Sequence, residues 1–406
     1  MRGITVLVSG ASIAGPALAF WLVRYGADVT VVEQAPALRD GGQLVDIRGT
    51  AAHEVVTRSG LSAAVRAAAT GADGLSLVSA SGRRQASTRS DAFDGSGPVA
   101  EIEILRGKLS EVFYDATRER VEYVFGDRIA ALDDRADGVH VSFEHGPARV
   151  FDVVVGADGL HSGVRGLLFG PEAPLLRHLN MYLSFWTAEN HLGLRNWTEV
   201  YSEPGRTVGM RAIRDNTATM AFFAFTSPAF RYDYRDAESL KAVVRSRAAG
   251  MGWAAEELVG QIDDAADFYF DSASQVVLPT WSRGRVGLVG DAAYCASPLS
   301  GHGTTIALVG AYVLAGELAR SGGDPVAGFR AYERRYRPWI ERIQRFGRGN
   351  GAAMAPQTRL GIEFRRAVLR VQELLPDINL TLRGQVRLSD GFTLPDYTQA
   401  VQGSRS

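Results

Sequence analysis

Apolar residues recur along the chain at spacings that predict both helices and strands. Residues 4–8 and 28–32 are β-branched runs, and residues 16–25 between them carry apolar side chains at helical spacing. Strand, helix and strand in this order predict a βαβ unit with parallel strands. Two further apolar runs, residues 150–155 and 285–289, have the length and composition of strands that are buried on both faces.

The segment between the last two runs has a different pattern of apolar and polar residues. Between residues 175 and 281, aromatic-rich alternations predict an antiparallel sheet with one wet face, and a helical stretch over residues 237–261 interrupts it. Because residues 285–289 match the earlier buried strands in character, we expect the chain to leave its first domain and return to it. Amphipathic helices are predicted over residues 325–347 and 364–375.

The predicted fold class is therefore α/β. It comprises a Rossmann-like nucleotide-binding domain, an inserted α+β domain on a mainly antiparallel sheet, and C-terminal helices. The predicted boundaries are 1–172 for the first part of the nucleotide domain, 173–282 for the substrate domain, 283–323 for the return, and 324–406 for the helical region and tail.

Charge and composition narrow the possible partners. The 44 basic and 45 acidic residues leave a net charge of -1, which predicts no nucleic-acid partner. No apolar stretch reaches the length of about eighteen residues that a membrane helix needs, so we expect a cytoplasmic protein without membrane attachment. The single cysteine, Cys295, excludes an internal disulfide and is predicted to be a small buried hydrophobe. Monomer and homodimer both stay open.

The turn after the first predicted strand carries a dinucleotide-binding pattern. Gly10 and Gly15 occupy the first and third glycine positions of the fingerprint, and Ser12 stands at the middle one. Ile13 and Ala14 begin the helix, whose first amides lack intrahelical partners and therefore favour phosphate oxygens. A glycine turn without a ligand is the alternative.

Acidic residues follow three of the predicted strands. Glu33 is placed to accept hydrogen bonds from a ribose, Asp158 lies in a glycine turn, and Asp291 follows Gly290. Carboxylates at strand ends can bind polyol hydroxyls, while the glycines let a flat ring or phosphates lie against backbone. A helix cap for Asp158 and a turn acid at Asp291 are the alternatives.

Together and in this order, the three motifs resemble those of the single-component FAD monooxygenases related to p-hydroxybenzoate hydroxylase. The similarity covers nearly the whole chain. Residues 41–49 (GGQLVDIRG) and 101–106 (EIEILR) are most similar to the tetracycline-inactivating and polyketide-tailoring branches. The resemblance implies FAD as cofactor and NADPH or NADH and O2 as co-substrates.

The resemblance also implies residue roles. Arg106 would contact the FAD pyrophosphate and ribityl region, Asp46 would lie near the flavin, and Asp291 would bind the ribityl chain. Asp158 would support the pyrophosphate and the nicotinamide nucleotide. The residues implied beside the flavin are Gly290, Pro298, Gly301, His302, Gly303 and Thr304, where helix amides would stabilise negative charge on the reduced ring.

Several positions depart from the family pattern. Gln34 stands where arginine is common, so an arginine contact to the adenosine side comes from Arg39 or is absent. Tyr294 replaces a frequent histidine, and Thr305 a frequent asparagine. His302 is a candidate for proton transfer, and a loop histidine that fills space is the alternative.

The implied chemistry resides on the cofactor. NADPH or NADH would reduce FAD, O2 would add to form a flavin C4a-hydroperoxide, and its distal oxygen would pass to the substrate, with hydroxylation as the expected outcome. No protein side chain need be a covalent catalyst. Other functions on this fold are an FAD-bound binding protein, an epoxidase, a Baeyer–Villiger enzyme and an isoprenoid reductase. A halogenase is disfavoured because the Trp-x-Trp-x-Ile-Pro segment is missing.

The substrate should lie between the aromatic-rich sheet and the flavin. Arg211 could bind an anionic or enolic group, and an aromatic wall favours a planar aromatic or polyketide substrate. Strand alternation sends about half of such residues into the domain core instead. The candidate wall residues are Phe185, Trp186, Met210, Arg211, Phe223, Phe225, Pro298 and Leu299.

Overall fold

The computed structural model describes residues 1–39, 41–71, 73–90, 102–374 and 388–398. It begins with the expected βαβ unit. The strands of the described residues are β1 (Thr5–Ser9), β2 (Asp28–Glu33), β3 (Leu44–Ile47), β4 (Gly74–Val78), β5 (Arg84–Arg89), β6 (Ile102–Leu105), β7 (Glu122–Phe125), β8 (Ile129–Arg135), β9 (Gly138–Phe143), β10 (Arg149–Phe151), β11 (Val153–Gly156), β12 (Leu176–Glu189), β13 (Trp197–Glu203), β14 (Arg206–Ile213), β15 (Ala218–Thr226), β16 (Tyr269–Val276), β17 (Ser282–Arg283) and β18 (Val286–Leu288). The helices are α1 (Ala14–Arg24), α2 (Thr50–Ser59), α3 (Ser62–Ala67), α4 (Arg106–Asp115), α5 (Gly163–Phe169), α6 (Ala237–Ala248), α7 (Ala255–Gly260), α8 (Asp291–Tyr294), α9 (Gly303–Arg320), α10 (Pro325–Gly349), α11 (Gly351–Met354) and α12 (Arg359–Leu374).

A mainly parallel sheet forms the core of the nucleotide domain. Its strand order in the described chain is β17-β18-β11-β1-β2-β7, and β1 lies between β2 and β11 with both neighbours parallel. The return of the chain is confirmed, because β18 pairs with β11 in parallel register. Helix α9 lies inside the domain, and a Cβ on Gly310 would stand 2.1 Å from the Tyr294 hydroxyl, so only glycine fits there.

The second large sheet has the order β16-β12-β15-β14-β13-β4-β5 among the described strands. Its pairs are antiparallel except for β13 with β4, so the prediction of a mainly antiparallel sheet is confirmed. The prediction of a wet face is wrong, because β12, β14 and β15 are buried on both faces. Side chains from α6 and α7 cover one face in an apolar cluster, and the other face turns towards the nucleotide domain.

The domain boundaries stay a prediction, with one observed departure. Strands β4 and β5 lie within the predicted 1–172 segment, yet they pair with β13 and extend the substrate sheet. At the other end, residues 388–398 return to the nucleotide domain, where the Arg58 guanidinium donates to the Pro395 carbonyl at 2.7 Å. Among the described residues, no helix combines the length and apolar character needed to cross a membrane. Glu101 and the predicted tail beyond residue 398 lie outside the described residues.

Candidate active site

The glycine turn between β1 and α1 is shaped by contacts that exclude side chains. Gly10 has φ of 107°, and a Cβ there would stand 2.6 Å from the Ala157 carbonyl oxygen. A Cβ on Gly15 would stand 1.8 Å from the Gly10 carbonyl oxygen. Helix α1 begins without a capping side chain at Ile13, so its first amides are left for a ligand at the mouth of the turn.

Arg106 lies over this turn. It is the first residue of α4, and its Nε donates to the Ser12 hydroxyl at 2.9 Å. Both residues keep part of their surface exposed. The serine at the middle fingerprint position therefore holds a cation where a diphosphate would approach the helix amides. In the sequence, Ser12 is only a departure from the glycine fingerprint. Its contact could not be predicted from the local pattern, because Arg106 lies 94 residues further along the chain.

The adenosine end of the turn is organised by Glu33. Its carboxylate accepts hydrogen bonds from the amides of Ala11 at 2.8 Å and Ala35 at 2.9 Å. Each oxygen retains a second lone pair, so the predicted contact to a ribose stays compatible with the geometry. Gln34 and Arg39 are both exposed, and the adenosine contact from Arg39 stays a prediction.

The two later acids have different surroundings. Asp158 accepts from the Ser162 hydroxyl at 2.5 Å and from the Val164 amide at 3.0 Å, so its carboxylate caps the start of α5. Asp291 begins α8; burial raises the pKa of its carboxyl and the Arg106 guanidinium partly offsets this.

Arg165 joins the second and third motifs. Its guanidinium is fully buried and donates to the carbonyls of Leu160 at 2.5 Å and Ala292 at 3.1 Å, and to Glu172 at 2.6 Å. Gly290 lies against α1 as well, since a Cβ there would stand 3.0 Å from that of Ala14. The three predicted motifs thus meet in one place.

The start of α9 forms another open helix terminus. No side chain caps it at His302, and Gly301 and Gly303 are partly exposed while Thr304 is buried. Thr305, which stands where asparagine was expected, donates to the Arg48 carbonyl at 3.0 Å and accepts from its amide at 2.9 Å. This ties the start of α9 to the end of β3.

Asp46 lies on β3 beside this connection. Its Oδ2 accepts from Arg48 Nε at 3.0 Å and from the terminal guanidinium nitrogen at 2.6 Å. About a fifth of the Asp46 side chain remains exposed, at 22%. Its position near a flavin is compatible with these contacts and stays a prediction.

His302 is engaged at both ring nitrogens. Nδ1 lies 2.5 Å from the Ser300 carbonyl, and Nε2 lies 2.8 Å from the Ser389 hydroxyl. The ring is fully buried, and burial lowers its pKa, so the imidazole is neutral at neutral pH. These contacts favour the space-filling alternative, in which the histidine anchors residues 388–398.

We expect His302→Gln to keep bound FAD and to leave the pH dependence of turnover unchanged, because a neutral anchoring residue transfers no proton. Loss of the two ring contacts should lower the free energy of unfolding by about 1–2 kcal/mol. Thermal melting and the pH profile of NADPH oxidation check both statements. Disappearance of one limb of that profile in the variant would restore the proton-transfer role.

Alternation divides the predicted substrate wall between the two faces of the sheet. Phe185 and Arg211 face the nucleotide domain, and Phe185 packs near Leu44 and Leu105. The Trp186 indole instead donates to the Leu258 carbonyl of α7 at 3.1 Å. Four of the predicted wall residues are instead buried under α6 and α7, and the prediction is wrong for them: Trp186, Met210, Phe223 and Phe225.

The remaining predicted wall residues, Leu299 and Pro298, lie near the same face of the sheet as Phe185. Leu299 is buried with Met181, Leu183 and Ala224 on the side of the sheet that faces the nucleotide domain, and Pro298 beside it is exposed. The same face carries Ile213, Met220 and Phe222, which the sequence did not single out although they alternate with the residues named above.

Arg211 is paired inside this wall. Its Nε donates to Glu103 Oε1 at 2.9 Å, and the Thr70 hydroxyl donates to the same oxygen at 2.9 Å. Burial raises the pKa of the Glu103 carboxyl, and Arg211 opposes this. The cation that was predicted to meet an anionic substrate is thus already neutralised by a buried acid of β6.

The assembled groups fit FAD. Two open helix termini and Arg106 suit a diphosphate and an electron-rich ring edge, Asp291 suits ribityl hydroxyls, and Phe185 offers an apolar surface. Ser12, Arg106, Asp291 and Phe185 each retain exposed surface although protein surrounds them.

Comparison with known proteins gives matches over almost the whole chain. Residues 3–346 match the family described as FAD binding domain. An uncharacterized protein of Mycobacterium tuberculosis is 45% identical over 368 residues, covering 90% of this chain and 97% of that protein. A flavin-dependent monooxygenase of Legionella longbeachae is 33% identical over 396 residues, covering 98% and 99%. The crystal structure of tetracycline destructase Tet(51) superposes with a TM-score of 0.84 at 31% identity, covering 97% of this chain and 99% of that one.

Proposed function

Because the chain belongs to the FAD binding domain family, among its flavin-dependent monooxygenases, we propose that it oxygenates a planar aromatic or polyketide-like molecule with NADPH or NADH and O2. The observation that carries the proposal is the contact of Arg106 with Ser12 over the glycine turn. Hydroxylation is the outcome we favour.

FAD, when bound, supplies electron transfer from the nicotinamide cofactor and the reaction with O2. The chain holds this cofactor. Arg106 and the amides at the start of α1 bind the diphosphate, Glu33 binds the ribose, and Asp291 orients the ribityl hydroxyls. The amides at the start of α9 would stabilise negative charge on the reduced ring.

The substrate would lie against the face of the large sheet that turns towards the nucleotide domain. Phe185, Leu299 and the buried cluster beside them exclude water, which limits loss of reactive oxygen to solvent. Glu103 and Arg211 place an acceptor and a donor side by side at this wall. The likeness to a tetracycline destructase supports a planar polycyclic substrate that carries keto and hydroxyl groups.

We expect the purified protein to be yellow, and NADPH oxidation to accelerate when a suitable planar polyketide or tetracycline is added. Mass spectrometry of the product should show one additional oxygen atom. The measurement is NADPH and O2 consumption across a panel of such compounds, with each product analysed. A yellow protein that neither nicotinamide cofactor reduces would point instead to an FAD-bound binding protein, and a protein that cannot take up FAD would overturn the proposal.

A further inference from the structure

A chain of four polar side chains crosses the interface between the two large sheets, outside the groups assigned above. Glu172 Oε1 lies 2.8 Å from His161 Nδ1, and His161 Nε2 lies 3.0 Å from Asp271 Oδ2. The Tyr269 hydroxyl donates to the same Asp271 oxygen at 3.2 Å. We call Glu172, His161, Asp271 and Tyr269 the relay.

One end of the relay reaches solvent. The Glu172 side chain is 33% exposed and that of His161 is 18% exposed, whereas Asp271 keeps only 7%. The exposed ring of Tyr234 stacks on His161 with centroids 3.9 Å apart and planes 1° from parallel, which fixes the imidazole. The relay therefore runs from the surface into a desolvated interior.

The other end reaches the flavin-facing side. Tyr269 on β16 pairs with Phe185 on β12, and their ring centroids lie 6.3 Å apart. Burial raises the pKa of the Tyr269 phenol well above its usual value, Asp271 adds to this, and the Arg106 guanidinium opposes it. Tyr269 thus packs beside a predicted substrate-wall residue, and its phenol stays neutral.

Resting on the function proposed above, we propose that the relay carries protons from solvent to the cofactor and substrate site. The overall reaction consumes one NAD(P)H, one proton, one O2 and one substrate, and it yields NAD(P)⁺, water and the hydroxylated product. The site excludes water to protect the oxygen chemistry, so the proton needs a defined route. Among the described residues, the relay offers hydrogen-bonded contacts from surface to site.

Each transfer conserves the proton. The Tyr269 hydroxyl, which donates to Asp271 Oδ2 at rest, first turns its proton towards the site. His161 then passes its Nε2 proton to Asp271 Oδ2, and this oxygen passes a proton to the Tyr269 oxygen as the phenol releases its own into the site. Glu172 or solvent then reprotonates the imidazole at its outer edge. The neutral Tyr269 phenol can act as a link in the relay because a hydroxyl both donates and accepts hydrogen bonds.

The charge of His161 depends on the groups around it. These are Glu172 on the loop after α5, Asp271 on β16, Tyr232 and Tyr234 on the loop after β15, and Arg165 on α5, whose guanidinium contacts Glu172. Burial lowers the pKa of His161, but the hydrogen bonds and charges of Asp271 and Glu172 outweigh it and raise the value to about 9. The imidazole is therefore charged at neutral pH, and its Nε2 proton points at Asp271 Oδ2.

Tyr269→Phe tests the relay, with Tyr232→Phe as the matched control. The Tyr232 hydroxyl donates to the other Asp271 oxygen at 2.6 Å, so both variants lose one hydrogen bond to the same carboxylate. The holoenzyme is reduced by dithionite without O2 and then mixed with O2, a step in which reduced flavin and one proton give oxidised flavin and hydrogen peroxide. Recovery of the flavin absorption is followed in H2O, in D2O and with added imidazole.

We expect Tyr269→Phe to slow recovery by about tenfold or more, to enlarge the solvent isotope effect, and to be restored in part by imidazole. Tyr232→Phe should match the wild type. Equal rates in the two variants, or slowing without rescue or isotope effect, would overturn the relay. Dithionite reduces the flavin without NADPH, so failure of the relay is distinct from failure of the proposed reaction.

The apoprotein gives a second readout. The folded-state pKa of about 9 lies above the ordinary 6.5, so the stabilisation from charged His161 is complete below pH 6.5 and is lost as pH rises through about 9. The melting temperature of wild type should therefore exceed that of His161→Gln most at the lower pH, with the gap closing towards the higher. A gap that does not change with pH would contradict the charged link on which the relay depends.

Discussion

Replacing Arg106 by alanine is expected to weaken FAD binding by about 10- to 100-fold. Hydrogen bonds to charged groups contribute about 1.5–3 kcal/mol each, and the guanidinium is the side chain that the structure holds over the glycine turn. Its loss also removes the positive field that opposes the raised pKa of Asp291. The variant should therefore bind the diphosphate and the ribityl chain less well.

Isothermal titration of the apoprotein with FAD measures this effect. Lys108→Ala is the control, because Lys108 lies on the same helix and pairs with Glu111 at 2.8 Å rather than with the turn. Arg106→Lys should recover part of the affinity, since it restores charge without the planar fork. Equal affinity in wild type and Arg106→Ala would refute the placement of the diphosphate beside Ser12.

Gly15→Ala is expected to cause the other large loss. The new Cβ would stand 1.8 Å from the Gly10 carbonyl oxygen, which is a backbone atom and cannot rotate away. Helix α1 would have to move from β1, so we expect the free energy of unfolding to fall by about 3 kcal/mol and FAD binding to be lost. Both consequences follow from one displaced helix terminus.

Chemical denaturation and FAD titration check this expectation. Gly166→Ala is the matched control, because Gly166 lies within α5 and a Cβ there would meet nothing within 4 Å. That variant should be as stable as the wild type or slightly more stable, since alanine favours helix. A Gly15→Ala protein that binds FAD normally would show that the turn does not approach the ligand closely.

Local patterns were sufficient for the nucleotide domain. The spacing of Gly10 and Gly15, and the acids after β2, β11 and β18, depend on turns that short segments specify by themselves. The resemblance supplied Arg106, which contacts Ser12 over the glycine turn and whose contact with FAD stays a prediction. These features could be predicted because each motif follows directly from its own strand.

The substrate side was harder to predict, because both faces of its sheet are apolar. Phe185 and Trp186 are neighbours with similar character, and alternation alone cannot tell which of them α7 covers. The pairing of Glu103 with Arg211 joins residues 108 positions apart, and no local pattern specifies it. The same holds for the relay, in which His161 of the nucleotide domain meets Asp271 of the inserted sheet.

The chain binds FAD, which accepts electrons from a nicotinamide cofactor and passes them to O2. Anaerobic mixing of the holoenzyme with NADPH or NADH tests this electron transfer most directly, with the flavin absorption followed in a stopped-flow instrument before and after O2 is admitted. We predict that the absorption bleaches, faster when a planar polyketide substrate is present, and returns with O2. Flavin that keeps its oxidised spectrum with both nicotinamide cofactors, whatever compound is added, would contradict the account.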